Sequence, residues 1–348
     1  MVSLPRPSLL GAAILALALV PAGTAAAKPR GVIAEPSTQA PGDVRGYWTT
    51  NRMREADPLP LAGGGEGVGE SGARSSAFPP DRETGPGFDR TFPQRLHGKL
   101  FVTVGGSDSS CSATVAKSFR RNVIVTAGHC LSFGRGRSGW ATNVLFVPAY
   151  RNGARPFGSF PATVLRVPKR WKQQGHIAFD FGAANLAPGP AGRIQDVLGA
   201  FGITFNRPDK AFRKKRFQLF GYPGAPESHY DAERLIHCNS AFRGFEVFSD
   251  SPVVSPCHQQ FGSSGGAWIR KRKLTSVISH GACVVPSDAC AAIAGTYFGD
   301  AAYKVWNKAA GKVPKGRRKK LRRCKRIRKF GKRLKCRSKA QTYKPVVR

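Results

Sequence analysis

Acidic residues are scarce in this chain and, at one end, missing. Twenty Asp and Glu face 56 Lys and Arg, a formal net charge of +36. Residues 1–97 carry ten basic and nine acidic residues, residues 98–311 carry 27 and 11, and residues 312–348 carry 19 and none. Solubility accounts for a positive balance but not for that asymmetry, which points to an anionic partner. Two further absences narrow the function. No Cys-x-x-Cys pair occurs among the eight cysteines, so a zinc site has little support. Beyond residue 20 no stretch is apolar enough for a membrane-spanning helix. The 40 glycines and 26 prolines argue against long helices and for short strands joined by turns, while a 41% hydrophobic share suffices for packed cores. About two packed units are expected from the length.

The first 27 residues read as an export signal. Arg6 marks a basic leader, Leu9 to Val20 an apolar run, and Ala25-Ala26-Ala27 a small-residue cleavage site. The apolar run is too short to span a bilayer comfortably. Export puts an even number of cysteines in an oxidising compartment, which favours disulfides over free thiols and leaves their connectivity open. Residues 28–97 are rich in proline, glycine and charge and have little periodicity, so their composition reads as a disordered linker. One island, Tyr47-Trp48-Thr49-Thr50-Asn51-Arg52-Met53-Arg54-Glu55-Ala56, breaks that pattern.

From Gly98 onward, alternation predicts strands at Lys99–Val104, Cys111–Val115, Asn122–Thr126, Val144–Val147 and Ala162–Val167. A Pro/Gly connector at residues 187–197 precedes a second set that includes Phe217–Gly221 and Leu274–Ser279. Asp300–Ala310 reads as a short amphipathic helix with Tyr303 and Trp306 on one side. Cys238 and Cys257 bracket two strands and pair with each other on this reading; Cys283 and Cys290 are close enough for a local loop disulfide.

The chemistry lies in two distant stretches. Phe261-Gly262-Ser263-Ser264-Gly265-Gly266-Ala267-Trp268 sets a serine among glycines, which let the backbone turn tightly and aim main-chain N–H groups at an oxyanion. Taken alone it is equally a flexible linker. Val123-Ile124-Val125-Thr126-Ala127-Gly128-His129-Cys130 ends an apolar β-branched strand at a histidine. A base on one strand end and a nucleophile on a distant glycine turn is what serine activation requires. Between them, Asp180 interrupts the apolar run Ile177–Leu186, where an acid is costly unless paired. Its rivals Asp196, Asp209 and Asp231 sit in polar or turn-like contexts.

The basic tail has only Leu321, Ile327, Phe330 and Leu334 at long intervals, too few for a core. It reads as a solvated, disordered tail or as a Cys324–Cys336 loop presenting a dense basic face. In an exported protein the partner implied is an anionic cell-envelope polymer or acidic polysaccharide, bound with steep salt dependence.

Thr126-Ala127-Gly128-His129-Cys130 and Gly262-Ser263-Ser264-Gly265-Gly266 resemble the two signature motifs of the trypsin/chymotrypsin-like serine peptidase family, in particular its secreted bacterial branch. The resemblance implies an all-β fold of two antiparallel β-barrels over residues 98–190 and 191–310, with a short C-terminal helix and the basic tail from 311. It makes His129 the general base, Asp180 its orienting acid and Ser264 the nucleophile, in the chain order of the chymotrypsin-like triad. The backbone N–H groups of Gly262 and Ser264 form the oxyanion hole. It pairs Cys111 with Cys130 beside the histidine, and closing a loop of that length contributes about 3 kcal/mol. His258 would border the primary specificity pocket. Ser279-His280-Gly281 resembles the edge along which the family binds substrate backbone by β-augmentation. Neither metal nor cofactor is implied.

The Trp48-Thr49…Arg52-Met53 island resembles a motif of bacterial pro-segments, so residues 28–97 also read as a propeptide. One position departs from the family. Many members carry an aspartate just before the nucleophile, to capture a new N-terminal ammonium; here Ser263 is neutral. Activation by unblocking the cleft replaces activation by ion pairing on this reading. The function expected is a secreted serine endopeptidase acting on protein or peptide substrates. A catalytically inactive protein of this fold that binds anionic polymers, and an esterase-like hydrolase, are the alternatives.

Overall fold

Short β-branched segments with one buried face build most of the molecule. The structure, a computed structural model, describes residues 31–62, 81–83, 85, 87–135, 139–224, 230–246, 249–257, 259–282, 292–311 and 313–347. The export signal, His258, Cys283 and Cys290 lie outside the described residues. The chain opens with β1 (Val32–Pro36), α1 (Pro41–Tyr47), α2 (Thr50–Glu55), β2 (Asp57–Pro58) and β3 (Asp81–Glu83). Six strands follow: β4 (His97–Val104), β5 (Ser107–Val115), β6 (Val123–Thr126), β7 (Thr142–Pro148), β8 (Phe160–Pro168) and β9 (Gly182–Leu186). Antiparallel pairing in the order β4-β5-β6-β9-β8-β7, with β7 returning to β4, closes a barrel.

After α3 (Lys169–Gln174), α4 (Ile194–Leu198) and β10 (Gly202–Ile203), a second set repeats the plan. It comprises β11 (Arg216–Gly221), β12 (Ile236–Phe245), β13 (Pro252–Ser255), β14 (Ala267–Arg270), β15 (Lys273–Ala282) and β16 (Ala292–Gly295). The order β11-β12-β13-β16-β15-β14, with β14 returning to β11, closes the second antiparallel barrel. Closure pairs every one of these twelve strands on both sides. β15 runs on past its pairing with β14, which ends at Val277, so that residues 278–282 keep one side unpaired by β14. Leu100, Phe101, Phe146, Phe160 and Phe181 fill the first, and Phe217, Leu219, Trp268 and Ile278 the second. Each such burial contributes roughly 1.5–3 kcal/mol. The all-β, two-barrel expectation holds, and α5 (Asp300–Ala310) occupies the span read from sequence, burying Val305 and Trp306.

Two stretches differ from a linker and a disordered tail. Residues 31–62 are folded onto the first barrel. β1 adds antiparallel to β8, Trp48 and Met53 are buried, and Trp48 Nε1–H donates to the Asn143 carbonyl. Thr49 caps α2 by accepting from the Arg52 N–H at 3.2 Å. A few large apolar side chains at the right spacing outweigh a composition rich in proline and glycine.

At the other end, α6 (Lys315–Lys325) and α7 (Phe330–Ala340) form a helical hairpin closed by Cys324–Cys336. Lys, Arg and Leu are good helix formers, and residues 342–346 bond back to residues 200–204, with Tyr343 packed 4.3 Å from the Trp306 ring. Disulfides Cys111–Cys130 and Cys238–Cys257 also form as read.

Candidate functional site

β6 is buried along its whole length and delivers His129 into the cleft at its C-terminal end. Gly128 cannot be larger, because a Cβ there would lie 2.9 Å from Trp171 and 3.1 Å from Asp180 Oδ1. The tight approach lets Asp180 take two bonds from one residue: Oδ1 accepts the His129 backbone N–H and Oδ2 accepts Nδ1–H, each at 2.8 Å. Ser279 Oγ–H adds a third bond to Oδ2 at 2.6 Å. Burial pushes the Asp180 carboxyl up, but the His129 charge and these three hydrogen bonds outweigh it and hold the carboxyl below its usual range. With Nδ1 carrying its proton toward Asp180, Nε2 is the ring nitrogen left to accept one.

Ser264 is brought to this pair by a loop that the first barrel clamps. The Ser112 N–H donates to the Ser264 carbonyl at 2.8 Å, and Ser112 Oγ–H donates to the Gly262 carbonyl at 2.9 Å. Gly265, at φ +79°, presses so closely on β6 that a Cβ would fall 2.0 Å from Thr126 Oγ1 and 2.4 Å from the Ser112 carbonyl. The Cys111–Cys130 bridge is the shared wall: His129 nitrogen lies within 4.8 Å of both sulfurs, and Cys130 Sγ is 3.6 Å from the Ser264 carbonyl. His129 Nε2 and Ser264 Oγ are both buried and find no hydrogen-bond partner among the described residues. A hydroxyl and a ring nitrogen in that condition can pass a proton from oxygen to nitrogen as the oxygen attacks a carbonyl carbon, and such contacts often tighten only when substrate binds.

Ser279 and His280 belong to one network. Ser279 Oγ has a single proton and gives it to Asp180, so His280 Nδ1–H must donate to Ser279 Oγ, at 3.1 Å. His280 Nε2 faces both Glu246 carboxylate oxygens, at 3.0 and 2.9 Å. The ring thus bridges Ser279 and Glu246, linking the Glu246 carboxylate to the Asp180 pair through two side chains. Burial pushes the Glu246 carboxyl up, but hydrogen bonds from His280 and Ser249 and the His280 charge bring it below its usual range. Gly281 flanks this network at the strand edge.

Ser112, Glu246 and residues 57–62 went unseen in the sequence. Glu246 carries no motif, and Ser112 has only its place beside Cys111. Pro58-Leu59-Pro60-Leu61 looks like a linker, yet the Gly262 N–H, expected to hold an oxyanion, donates to the Leu59 carbonyl at 2.9 Å. The neutral Ser263 is satisfied locally, its hydroxyl bonded to the Gln260 carbonyl.

Cys111, His129 and Cys130 group three metal-type ligand atoms. Both sulfurs are spent in a disulfide and the imidazole is held by Asp180, so this donor set does not suit a metal.

No family model matches the chain. A curated relative, an extracellular metalloprotease of Bacillus subtilis (strain 168), is 26% identical over 120 residues, 34% of this chain; the chain spans 37% of that protein's length. Among solved structures, a Glu endopeptidase shares the fold at 19% identity and TM-score 0.53, covering 67% of this chain and 97% of its own. The thermostable serine protease AL20 from an extremophilic microorganism is 29% identical, with TM-score 0.55 and coverage of 62% and 97%. The protease Anisep from Arthrobacter nicotinovorans is 31% identical, with TM-score 0.55 and coverage of 63% of this chain and 96% of its own. With two closed barrels and serine protease relatives of this kind, the chain belongs to the trypsin/chymotrypsin-like serine peptidase family.

Proposed function

We propose that the protein is a secreted serine endopeptidase in which Ser264, His129 and Asp180 act as a triad. The observation that carries this reading is the buried His129–Asp180 pair, with Nε2 left without a partner among the described residues on the wall that also holds the Ser264 hydroxyl, likewise without one. Ser264 Oγ attacks the scissile carbonyl carbon while His129 Nε2 takes its proton. The tetrahedral oxyanion is held by the Gly262 and Ser264 N–H groups, and collapse sends the Nε2 proton to the departing amine. Water then repeats the cycle on the acyl-enzyme and restores Ser264. Asp180 keeps Nδ1 protonated and stabilises the imidazolium. Oxyanion-hole donors of this kind contribute about a hundred- to a thousandfold each.

Three disulfides among the described residues and an extracellular relative support export. No helix among the described residues is long and apolar enough to cross a membrane. A fluorophosphonate should label the activated protein at Ser264 and lose its target in Ser264→Ala. Casein hydrolysis separates the peptidase from the esterase alternative, because an acyl-enzyme route that cleaves amides also turns over activated esters whereas an esterase leaves casein uncut. Absence of any label would leave the inactive, polymer-binding alternative.

A second reading rests on the α6–α7 hairpin. It lies in the stretch that holds 19 basic residues and no acid, and its only buried residues are Cys324 and Ala340. We assign it to an anionic cell-envelope polymer. Binding to soluble polyphosphate that falls steeply between low and physiological salt supports this; salt-independent binding opposes it.

A further inference from the structure

Residues 57–62 join the two halves of the cleft. β2 pairs parallel with β5, Asp57 opposite Ser109 and Pro58 opposite Ser110, and the Leu59 N–H donates to the Ser110 carbonyl at 2.9 Å. The Leu59 carbonyl then takes the Gly262 N–H at 2.9 Å, and the Ala62 N–H donates to the Ser279 carbonyl at 2.9 Å. Side chains follow the same path. Leu59 and Ala62 pack on the first core and Leu61 on the second. Pro58 fills the space over Gly262, where a Cβ would meet it at 3.1 Å.

The segment's direction is its informative property. Ile278 on β15 is bonded to Gly265 and Gly266, beside the nucleophile, so β15 leads away from Ser264 as it passes Ser279, His280 and Gly281. A peptide added antiparallel to this edge travels toward Ser264 and reaches it with its C-terminal end. Residues 57–62 do the reverse: they meet the Ser264 loop at Leu59 and reach Ser279 at Ala62. The Leu61 side chain, not the backbone, reaches toward Gly281, its Cδ1 4.0 Å from the position of a Cβ there. The bond presented beside Gly262 is Leu59–Pro60. Its nitrogen is a proline nitrogen without N–H, and it lies on the side where an antiparallel substrate carries its acyl portion.

We infer that the Pro58-Leu59-Pro60-Leu61-Ala62 segment is a built-in peptide ligand of the substrate cleft, bound with reversed polarity so that it fills the oxyanion site without being cut. The inference rests on the proposed role of Ser264 and specifies how that site is regulated. The cleft's first partner is this chain's own apolar, proline-spaced peptide. The neutral Ser263 fits this scheme, because release requires the segment to leave and no new ion pair to form. Ser264 is accessible in proportion to the fraction of molecules with the segment displaced.

Two measurements on the full-length chain decide the matter. In Ser264→Ala, which prevents self-processing, amide hydrogen exchange at Leu59, Ala62 and Gly262 should be slowed about a hundredfold or more relative to unstructured peptide. Exchange at the unstructured rate overturns the inference whatever Ser264 does. In the Ser264 chain, Leu59→Asp with Leu61→Asp should speed fluorophosphonate labelling about a hundredfold. Equal labelling of parent and double variant overturns the segment's role while leaving the nucleophile in place. Protected amides with no labelling of either protein keep the segment and remove Ser264 as nucleophile. Should the double variant fail to fold, the exchange measurement stands alone.

Discussion

Residues 31–62 are fastened to the first barrel by buried apolar side chains, whereas α6 and α7 keep most of their length in solvent and are tied down at a few points. Trp48 and Met53 are fully buried, and the segment they anchor ends on the Gly262 N–H. In the hairpin only Cys324 and Ala340 are buried; its hold on the body comes from Tyr343 against Trp306, from the bonds of residues 342–346 to residues 200–204, and from the Arg337–Asp300 ion pair. Charge divides them as well. The first 97 residues are nearly neutral, and the last stretch from 312 carries 19 basic residues and no acid. Close-packed apolar anchors hold a segment in one position, as the proposed control of the Ser264 loop requires. A charged surface tolerates many arrangements, which suits capture of an irregular polyanion.

The largest expected effect calibrates both stretches. Ser264→Ala should lower peptide hydrolysis by roughly a millionfold, since members of a triad act as a unit, and should leave polyphosphate binding unchanged. A loss of both would break the comparison by tying hairpin to cleft. Asp180→Asn should reduce kcat about ten-thousandfold, because an amide stabilises the wrong imidazole tautomer; single-turnover kinetics on a peptide substrate would measure it.

Trp48→Ala should cost about 3–5 kcal/mol of stability. It should also loosen the segment over Gly262, read as a lower Tm together with faster labelling of Ser264. Replacing Cys324 and Cys336 by Ser should destabilise the hairpin by about 3 kcal/mol. Polyphosphate binding should weaken and hydrolysis stay at the parent rate. The smallest effect concerns pH. Asp180 has a depressed carboxyl in the folded state, so its contribution is present above about pH 4 and is lost as pH falls through the lower folded value. Ser279→Ala removes one of the bonds that lower it, so acid unfolding should begin at a higher pH, followed by circular dichroism.

Much of the barrel framework was legible because its strands alternate cleanly and the candidate site residues sit at strand ends and glycine turns. Thr126 to Cys130 and Gly262 to Gly266 are local patterns with local causes: close approaches at Gly128 and Gly265 that admit no side chain. Asp180 could be read from the cost of an acid in an apolar run. Glu246 could not, since its partner His280 comes 34 residues later and neither flank marks it. Residues 57–62 were illegible for another reason. Alternating proline gives the same composition to a linker and to an extended peptide held in a groove, and only the donors at Gly262 and the acceptors at Ser110 and Ser279 tell them apart. The hairpin helices stayed hidden because their stability depends on a disulfide and on Tyr343, both outside any periodic pattern.

The most direct test of the serine mechanism is hydrolysis of a peptide bond by the activated protein, with residue 264 as the variable. Casein should be cut by the parent, and by Ser264→Ala only at a rate near the uncatalysed one. An alanine variant that still digests casein at the parent rate would contradict the mechanism outright.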